Sequence, residues 1–179
     1  YKTADIVIVN SCTVTSSGDS RMLSAIRKVK RENSECIMVL TGCYPQAFPE
    51  DSEKIADIDI ITGTKNKQDI PDIIEKFLEN RNHISVIECY RKDDIYDDMT
   101  CTEFPDNTRA FVKIQDGCNC FCSYCIIPYA RGRIRSKSPD VLKNEILGIA
   151  QNGIKEVVLS GINLAFYGKE YNLNLADAV

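Results

Sequence analysis

Four short apolar runs constrain this chain most: DIVIVN at 5–10, CIMVLTG at 36–42, IDIITG at 58–63 and HISVIEC at 83–89. Each reads as a strand buried on both faces, the habit of parallel-sheet strands. Between them, RMLSAIRKVKREN and KQDIPDIIEKFLENR space their apolar residues at three and four, the period of an amphipathic helix. The alternation predicts an open parallel-sheet α/β domain over residues 1–88. The next stretch, CYRKDDIYDDMTCTEFPDNT, is polar and acidic and predicts a linker over 89–108. From Arg109 a second α/β unit is expected: strand RAFVKIQ, a cysteine-rich loop, helix SPDVLKNEILGIAQNG and strand KEVVLSG. Ser138 followed by Pro139 is a helix start, and Gly153 a stop.

The chemistry is concentrated in the loop DGCNCFCSYCIIPYARGR, where Cys118, Cys122 and Cys125 are spaced by three and then two intervening residues. Iron–sulfur clusters are normally held by four thiolates, so three at this spacing predict a cluster with one iron open to another ligand. Cys120 lies between the first two and would also allow a C-x-C-x2-C reading with Cys118 left over, so spacing alone leaves the bystander thiol open; a closed four-cysteine zinc site is the rival. Nine cysteines, an odd number, most of them after strand-like runs or in one loop, fit reduced metal ligands better than disulfides. The single histidine, His83, heads an apolar run. That argues against a Ser-His or Cys-His nucleophile and against mixed Cys/His zinc sites.

Cys12 and Cys43 each follow a predicted strand, at the carboxyl edge where open α/β sheets bind ligands. Neighbouring parallel strands about 4.8 Å apart bring two such thiols within reach of one cluster. Cys36 opens its strand at the far end of the sheet and is expected to be an ordinary buried cysteine. A third ligand is needed: either Cys89, which also ends a strand, or a residue upstream of Tyr1.

Hydrophobic residues make up 44% of the chain and charged residues 27%, enough to bury a normal core. No apolar run approaches the roughly 18 residues of a membrane helix and no secretory signal is present, so a cytoplasmic location is expected. Residues 1–108 carry 13 basic and 20 acidic side chains, whereas 109–179 carry 9 and 6. Arg131, Arg133, Arg135 and Lys137 alternate directly after the cysteine loop, so an extended chain would point them to one side, as a candidate contact for RNA phosphates.

The motifs NSCTVT at 10–15, TGCYPQ at 41–46, KIQDGCNCFCSYCIIPYARGRIRS at 113–136 and EVVLSGINLAFYG at 156–168 together resemble the tRNA methylthiotransferases of the radical S-adenosylmethionine (SAM) superfamily. Within that family they are most similar to the branch acting on threonylcarbamoyladenosine. The resemblance implies that Cys118, Cys122 and Cys125 hold a 4Fe-4S cluster that binds SAM, and that Cys120, where the family pattern has no cysteine, points away from it. Cys12 and Cys43 match two of the three ligands of an auxiliary 4Fe-4S cluster, and the first ligand would lie upstream, the preferred alternative to Cys89. Residues 109–179 would then be the first part of a (β/α) barrel, which takes about 200 residues when complete.

Loops after barrel strands form the active site, so Gly161 and Asn163 in SGINLAFYG are candidates for the SAM pocket, and Tyr124 is a candidate neighbour of the adenine. No catalytic residue distinct from the cluster ligands is assigned, and Cys101 is taken as a bystander. The implied reaction replaces the C2 hydrogen of adenosine 37 in the tRNA anticodon loop by a methylthio group, using a 5′-deoxyadenosyl radical, sulfur from the auxiliary cluster, a second SAM and an external electron donor. Sister branches act on isopentenyladenosine or on a ribosomal-protein aspartate. A non-catalytic iron–sulfur module is the alternative of another class. The 179-residue segment alone is expected to be inactive.

Overall fold

The computed structural model describes residues 1–105 and 107–179, which divide into two compact units. The first comprises Tyr1–Tyr90 with Cys122–Arg131, and the second Arg91–Phe121 with Gly132–Val179. The fold class is α/β, as the alternation of runs implied.

In the first unit, β1 (Ile6–Ser11), β2 (Ile37–Gly42), β3 (Ile60–Thr62) and β4 (Ile84–Val86) form one parallel sheet in the order β1-β2-β3-β4. Its helices are α1 (Ser16–Glu32), α2 (Cys43–Ala47), α3 (Pro49–Glu53), α4 (Ile70–Asn80) and α5 (Ile127–Arg131). Every residue of β2 is buried, because alternate side chains feed opposite faces. Met38 and Leu40 pack with Met22 and Ile26 of α1, while Ile37 and Val39 pack with Ile73 and Phe77 of α4. A strand covered on both sides must be apolar at every position, which is why CIMVLTG shows no polar alternation.

Helix α1 begins five residues before its apolar periodicity does. Thr15 caps it by accepting a hydrogen bond from the Gly18 N–H at 3.2 Å, so the polar first turn SSGDS is helical without contributing to the core. The run HISVIEC yields only three strand residues, Ile84–Val86.

In the second unit, β5 (Ala110–Asp116) is central, with β6 (Arg135–Ser136) antiparallel on one side and β7 (Val157–Gly161) parallel on the other. Helix α6 (Pro139–Gln151) starts at Ser138, whose hydroxyl accepts from the Val141 N–H at 3.3 Å. Ala110, Val112 and Ile114 of β5 pack against Leu142 and Ile149 of α6 and against Tyr167.

The stretch read as a linker packs against this unit instead. Tyr96 is buried and its hydroxyl donates to the Lys113 carbonyl at 2.7 Å, the Cys101 N–H donates to Glu145 at 3.0 Å, and Asn152 holds the Thr102 carbonyl at 2.9 Å. Polarity suggested a spacer because these anchors are single residues spread through charged sequence. Asp106, within that stretch, lies outside the described residues. Among the described residues no helix is long and apolar enough to cross a membrane.

Candidate functional site

In the first unit, register decides where the thiols stand. The last pair between β1 and β2 is Ser11 with Gly42, so Cys12 and Cys43 are the next residue on each of two neighbouring strands. Cys12 is exposed, and Cys43, the first residue of α2, is buried. Ser11 ties the two strand ends: its hydroxyl donates to the Thr41 carbonyl at 2.8 Å and accepts from the Tyr44 N–H at 3.2 Å. Gly42 has φ +106°, and a Cβ there would lie 2.7 Å from Ser11 N and 2.8 Å from Asn10 Oδ1. Only glycine lets the strands stay paired up to the two cysteines. Cys36 is buried at the opposite end of β2 and joins the α1 core. Cys89 is exposed, three residues beyond β4.

The tail of the cysteine loop belongs to this same unit. Cys122 is exposed and Cys125 half-buried, with the Cys125 N–H bonded to the Cys122 carbonyl at 2.9 Å, and Tyr124 between them is 89% exposed. Helix α5 follows. Thr64 Oγ1 donates to the Ala130 carbonyl at 2.8 Å, and Arg131 Nε donates to Cys43 Sγ at 3.1 Å.

The head of the loop belongs to the second unit. Asp116 ends β5 and accepts from the Gly117 N–H at 2.8 Å, and the N–H of the half-buried Cys118 donates to the Gly132 carbonyl at 3.1 Å. Gly117 has φ +73° and sits against the Gly132–Arg133 backbone. Gln115, which sequence reasoning overlooked, is completely buried and holds this end together. Its amide donates to the Asp116 and Gly117 carbonyls, both at 2.8 Å, and its oxygen accepts from the Asn163 N–H at 2.7 Å. The cysteine loop and the SGINLAFYG loop therefore share one clamp. Alternation carried no signal for it: Ala110, Val112 and Ile114 are buried while Phe111 and Lys113 are exposed, and Gln115 shares the exposed phase until the irregularity after Lys113.

Gly161 ends β7 with its α-carbon facing Gln115, where a Cβ would come within 2.9 Å of the Gln115 Cβ. Asn163 caps the next 3₁₀ turn, its side chain accepting from the Ala165 N–H at 3.2 Å. Cys120 and Cys101 are exposed, the latter bonded through Sγ to the Glu103 carbonyl at 3.4 Å.

The basic ladder after the loop does not form. Arg131 is half-buried against Cys43, and Arg133 is exposed. Arg135 is buried, 4.0 Å from Asp116, and Lys137 is buried in an ion pair with Glu145 while donating to the Met99 carbonyl at 3.2 Å. The extended segment is short, and acidic partners inside the second unit draw Arg135 and Lys137 inward. Arg135 and Lys137 thus do not form the exposed RNA-facing series expected from the alternation.

Among the described residues no three His, Cys, Asp or Glu side chains are gathered into one metal-binding group. The donor set nonetheless suits iron–sulfur clusters: none of the nine cysteines is joined in a disulfide, and one of the paired strand-end sulfurs already accepts a guanidinium N–H, as an anionic sulfur ligand would.

Residues 1–63 match the uncharacterized protein family UPF0004, and residues 112–174 match the Radical SAM superfamily. A threonylcarbamoyladenosine tRNA methylthiotransferase of Aquifex aeolicus is 40% identical over 173 residues, covering 95% of this chain and 42% of the relative. The chain belongs to the radical SAM tRNA methylthiotransferase family. The Bacillus subtilis protein of the same name is 38% identical over 96% of the chain and 39% of the relative. A tRNA-2-methylthio-N(6)-dimethylallyladenosine synthase of Clostridium novyi is 38% identical over 97% and 40%. The chain thus spans about two fifths of the length of these relatives. Among solved structures, the radical SAM methyltransferase TsrM of Kitasatospora setae aligns with 97% of this chain and 38% of its own at a TM-score of 0.59 and 16% identity, a likeness of fold. The family is one of enzymes, and its radical SAM segment implies use of SAM and an iron–sulfur cluster.

Proposed function

We propose that the full-length protein is a tRNA methylthiotransferase that converts N6-threonylcarbamoyladenosine, at position 37 of the anticodon loop, to its 2-methylthio derivative with two 4Fe-4S clusters. The observation that carries this reading is the match, at 40% identity over 95% of the chain, to a relative named for that activity. Cys118, Cys122 and Cys125 would hold the SAM-binding cluster. Cys12 and Cys43, with a third ligand upstream or at Cys89, would hold the auxiliary cluster. When bound, these groups and SAM supply radical hydrogen abstraction, sulfur and the methyl group, with electrons from an external donor.

The chain's own residues position and bind. Gln115 fixes the cysteine loop against the loop that carries Gly161 and Asn163, where SAM is expected to lie. Tyr124, exposed between two ligand cysteines, is free to face an adenine ring. Arg133 is the member of the basic series exposed to an RNA phosphate. RNA readout favours unstacked loop bases, which the nucleotide beside the anticodon supplies.

A second reading, dimethylallyladenosine in tRNA as substrate, is favoured by the 38% identity to the Clostridium novyi enzyme. Mass spectrometry of tRNA nucleosides from a deletion strain complemented with the full-length protein distinguishes them. The threonylcarbamoyl derivative is expected, and the dimethylallyl derivative alone would overturn the first reading in favour of the second. Iron counting tests the clusters: about eight irons per chain should fall to about four in a Cys118→Ala, Cys122→Ala, Cys125→Ala variant. Zinc in place of iron would exclude the enzyme.

A further inference from the structure

The helix that closes the cysteine loop ends on a thiol of the other ligand set. Arg131, the last residue of α5, donates its Nε–H to Cys43 Sγ at 3.1 Å. Both sides of this contact are anchored by backbone. Thr64 holds the Ala130 carbonyl next to Arg131 at 2.8 Å, and the Ser11 and Gly42 lock fixes the strand end from which Cys43 starts α2. Cys43 is only 4% exposed, so the bond is made largely out of water, where it is stronger than at a surface. A thiol sulfur is a weak acceptor, whereas a guanidinium N–H is suited to a sulfur carrying negative charge.

We propose that Arg131 is a positioning residue of the auxiliary cluster, donating a hydrogen bond to the Cys43 ligand sulfur and raising the reduction potential of that cluster. The proposal rests on the two-cluster reading above. Hydrogen bonds to sulfur ligands help set cluster potentials. The couple is a single electron: a [4Fe-4S]²⁺ cluster takes one electron from an external reductant and becomes [4Fe-4S]¹⁺, with no bond to Arg131 made or broken. The added negative charge is shared by the ligand sulfurs, so an N–H directed at one of them stabilises the reduced state more than the oxidised one. The loop that supplies SAM-cluster ligands thereby also adjusts the second cluster, through the residue six positions after Cys125.

The test uses the full-length protein, reconstituted anaerobically in the Cys118→Ala, Cys122→Ala, Cys125→Ala background so that only the auxiliary cluster remains. Its midpoint potential is read by dithionite titration with electron paramagnetic resonance, for Arg131, Arg131→Met and Arg131→Lys, with Lys76→Met as a control of equal charge change at an exposed site on α4. The methionine variant should show about a tenfold lower reduced-to-oxidised ratio at fixed potential, about 59 mV more negative for one electron. The lysine variant, which keeps the charge but loses the Nε–H, should shift less and in the same direction, and it reads the proposal independently where the methionine variant does not load. Lys76→Met should not shift. About four irons with unshifted potentials in both Arg131 variants, or an equal shift in the control, overturns the role of Arg131 alone. No iron in this background overturns it together with the auxiliary-cluster reading.

Discussion

Replacing Lys137 by methionine tests whether the second unit is built around a buried ion pair. Lys137 is 2% and Glu145 5% exposed, and the pair is part of a group that also includes the Met99 carbonyl and the Cys101 N–H. Methionine approximates the lysine stem but leaves a carboxylate sealed in the unit, with the Cys101 N–H at 3.0 Å as a partner. Removing one member of such a pair costs about 3–5 kcal/mol. With a urea dependence of about 2 kcal/mol per molar, the midpoint of the second unit should fall by roughly 2 M. Followed by far-ultraviolet circular dichroism, the double variant Lys137→Met, Glu145→Leu should recover much of the loss. It should remain about 1–3 kcal/mol short because the Cys101 N–H loses its acceptor. A single-variant loss below about 1 kcal/mol, the value of a solvated pair, would refute the reasoning, as would a double variant no better than the single one. The salt dependence of tRNA affinity should be unchanged, because Lys137 faces no phosphate.

Three further outcomes follow from local geometry. Burial pushes the Tyr96 phenol above its ordinary value, with Asp116 and Glu145 adding to the effect. A raised folded value favours the neutral form, so this contribution is whole below about pH 10 and is lost as pH rises beyond it. Tyr96→Phe should therefore flatten the alkaline loss of stability, at a cost of about 1 kcal/mol near neutrality for the bond to Lys113; urea midpoints at about pH 8 and about pH 11 that move in parallel in both proteins would reject it. Gly117→Ala places a Cβ 2.6 Å from the Arg133 carbonyl carbon at φ +73°, so the backbone beside Cys118 must shift. In the full-length protein, iron should drop from about eight towards four per chain with loss of 5′-deoxyadenosine formation, and full loading would show that the loop tolerates the shift. Ser138→Ala should lower the stability of the second unit by about 1 kcal/mol through loss of the α6 cap, read from the same urea transition.

What the sequence made legible was whatever repeats with a period. The runs around Val39 and Ile60 are apolar at successive positions because both sheet faces are covered, and that pattern announces a parallel sheet without knowledge of its partners. The same runs put Cys12 and Cys43 at one sheet edge, since a thiol just past a strand end shares the strand's edge, whereas the register that makes them successors of the paired Ser11 and Gly42 was not legible. Single anchors were not legible. Nothing about Tyr96 or Thr102 marks them as attachment points, and a stretch rich in Asp, Lys and Arg looks solvated when its few fixed residues are spaced irregularly. Helix starts made of small polar residues escape apolar periodicity for the same reason, and only a cap such as Thr15 reveals them.

The basic series after the cysteine loop shows why charge alternation alone did not define one face. Alternation argues for one face only if every member is equally free to reach solvent, and these four residues meet different surroundings. Asp116 lies beside Arg135, Glu145 receives Lys137, and the sulfur of Cys43 receives Arg131. The acceptors lie 8 residues away for Glu145, 19 for Asp116 and 88 for Cys43, and separations so unequal leave no periodic trace. The consequence for function is a division of labour within one motif. Arg133 is exposed, Arg135 and Lys137 are buried in the second unit, and Arg131 donates to a thiol of the first. A neutral substitution at each position should therefore produce a different defect, in RNA affinity, stability or cluster potential, whereas a common phosphate-binding face would produce the same defect four times.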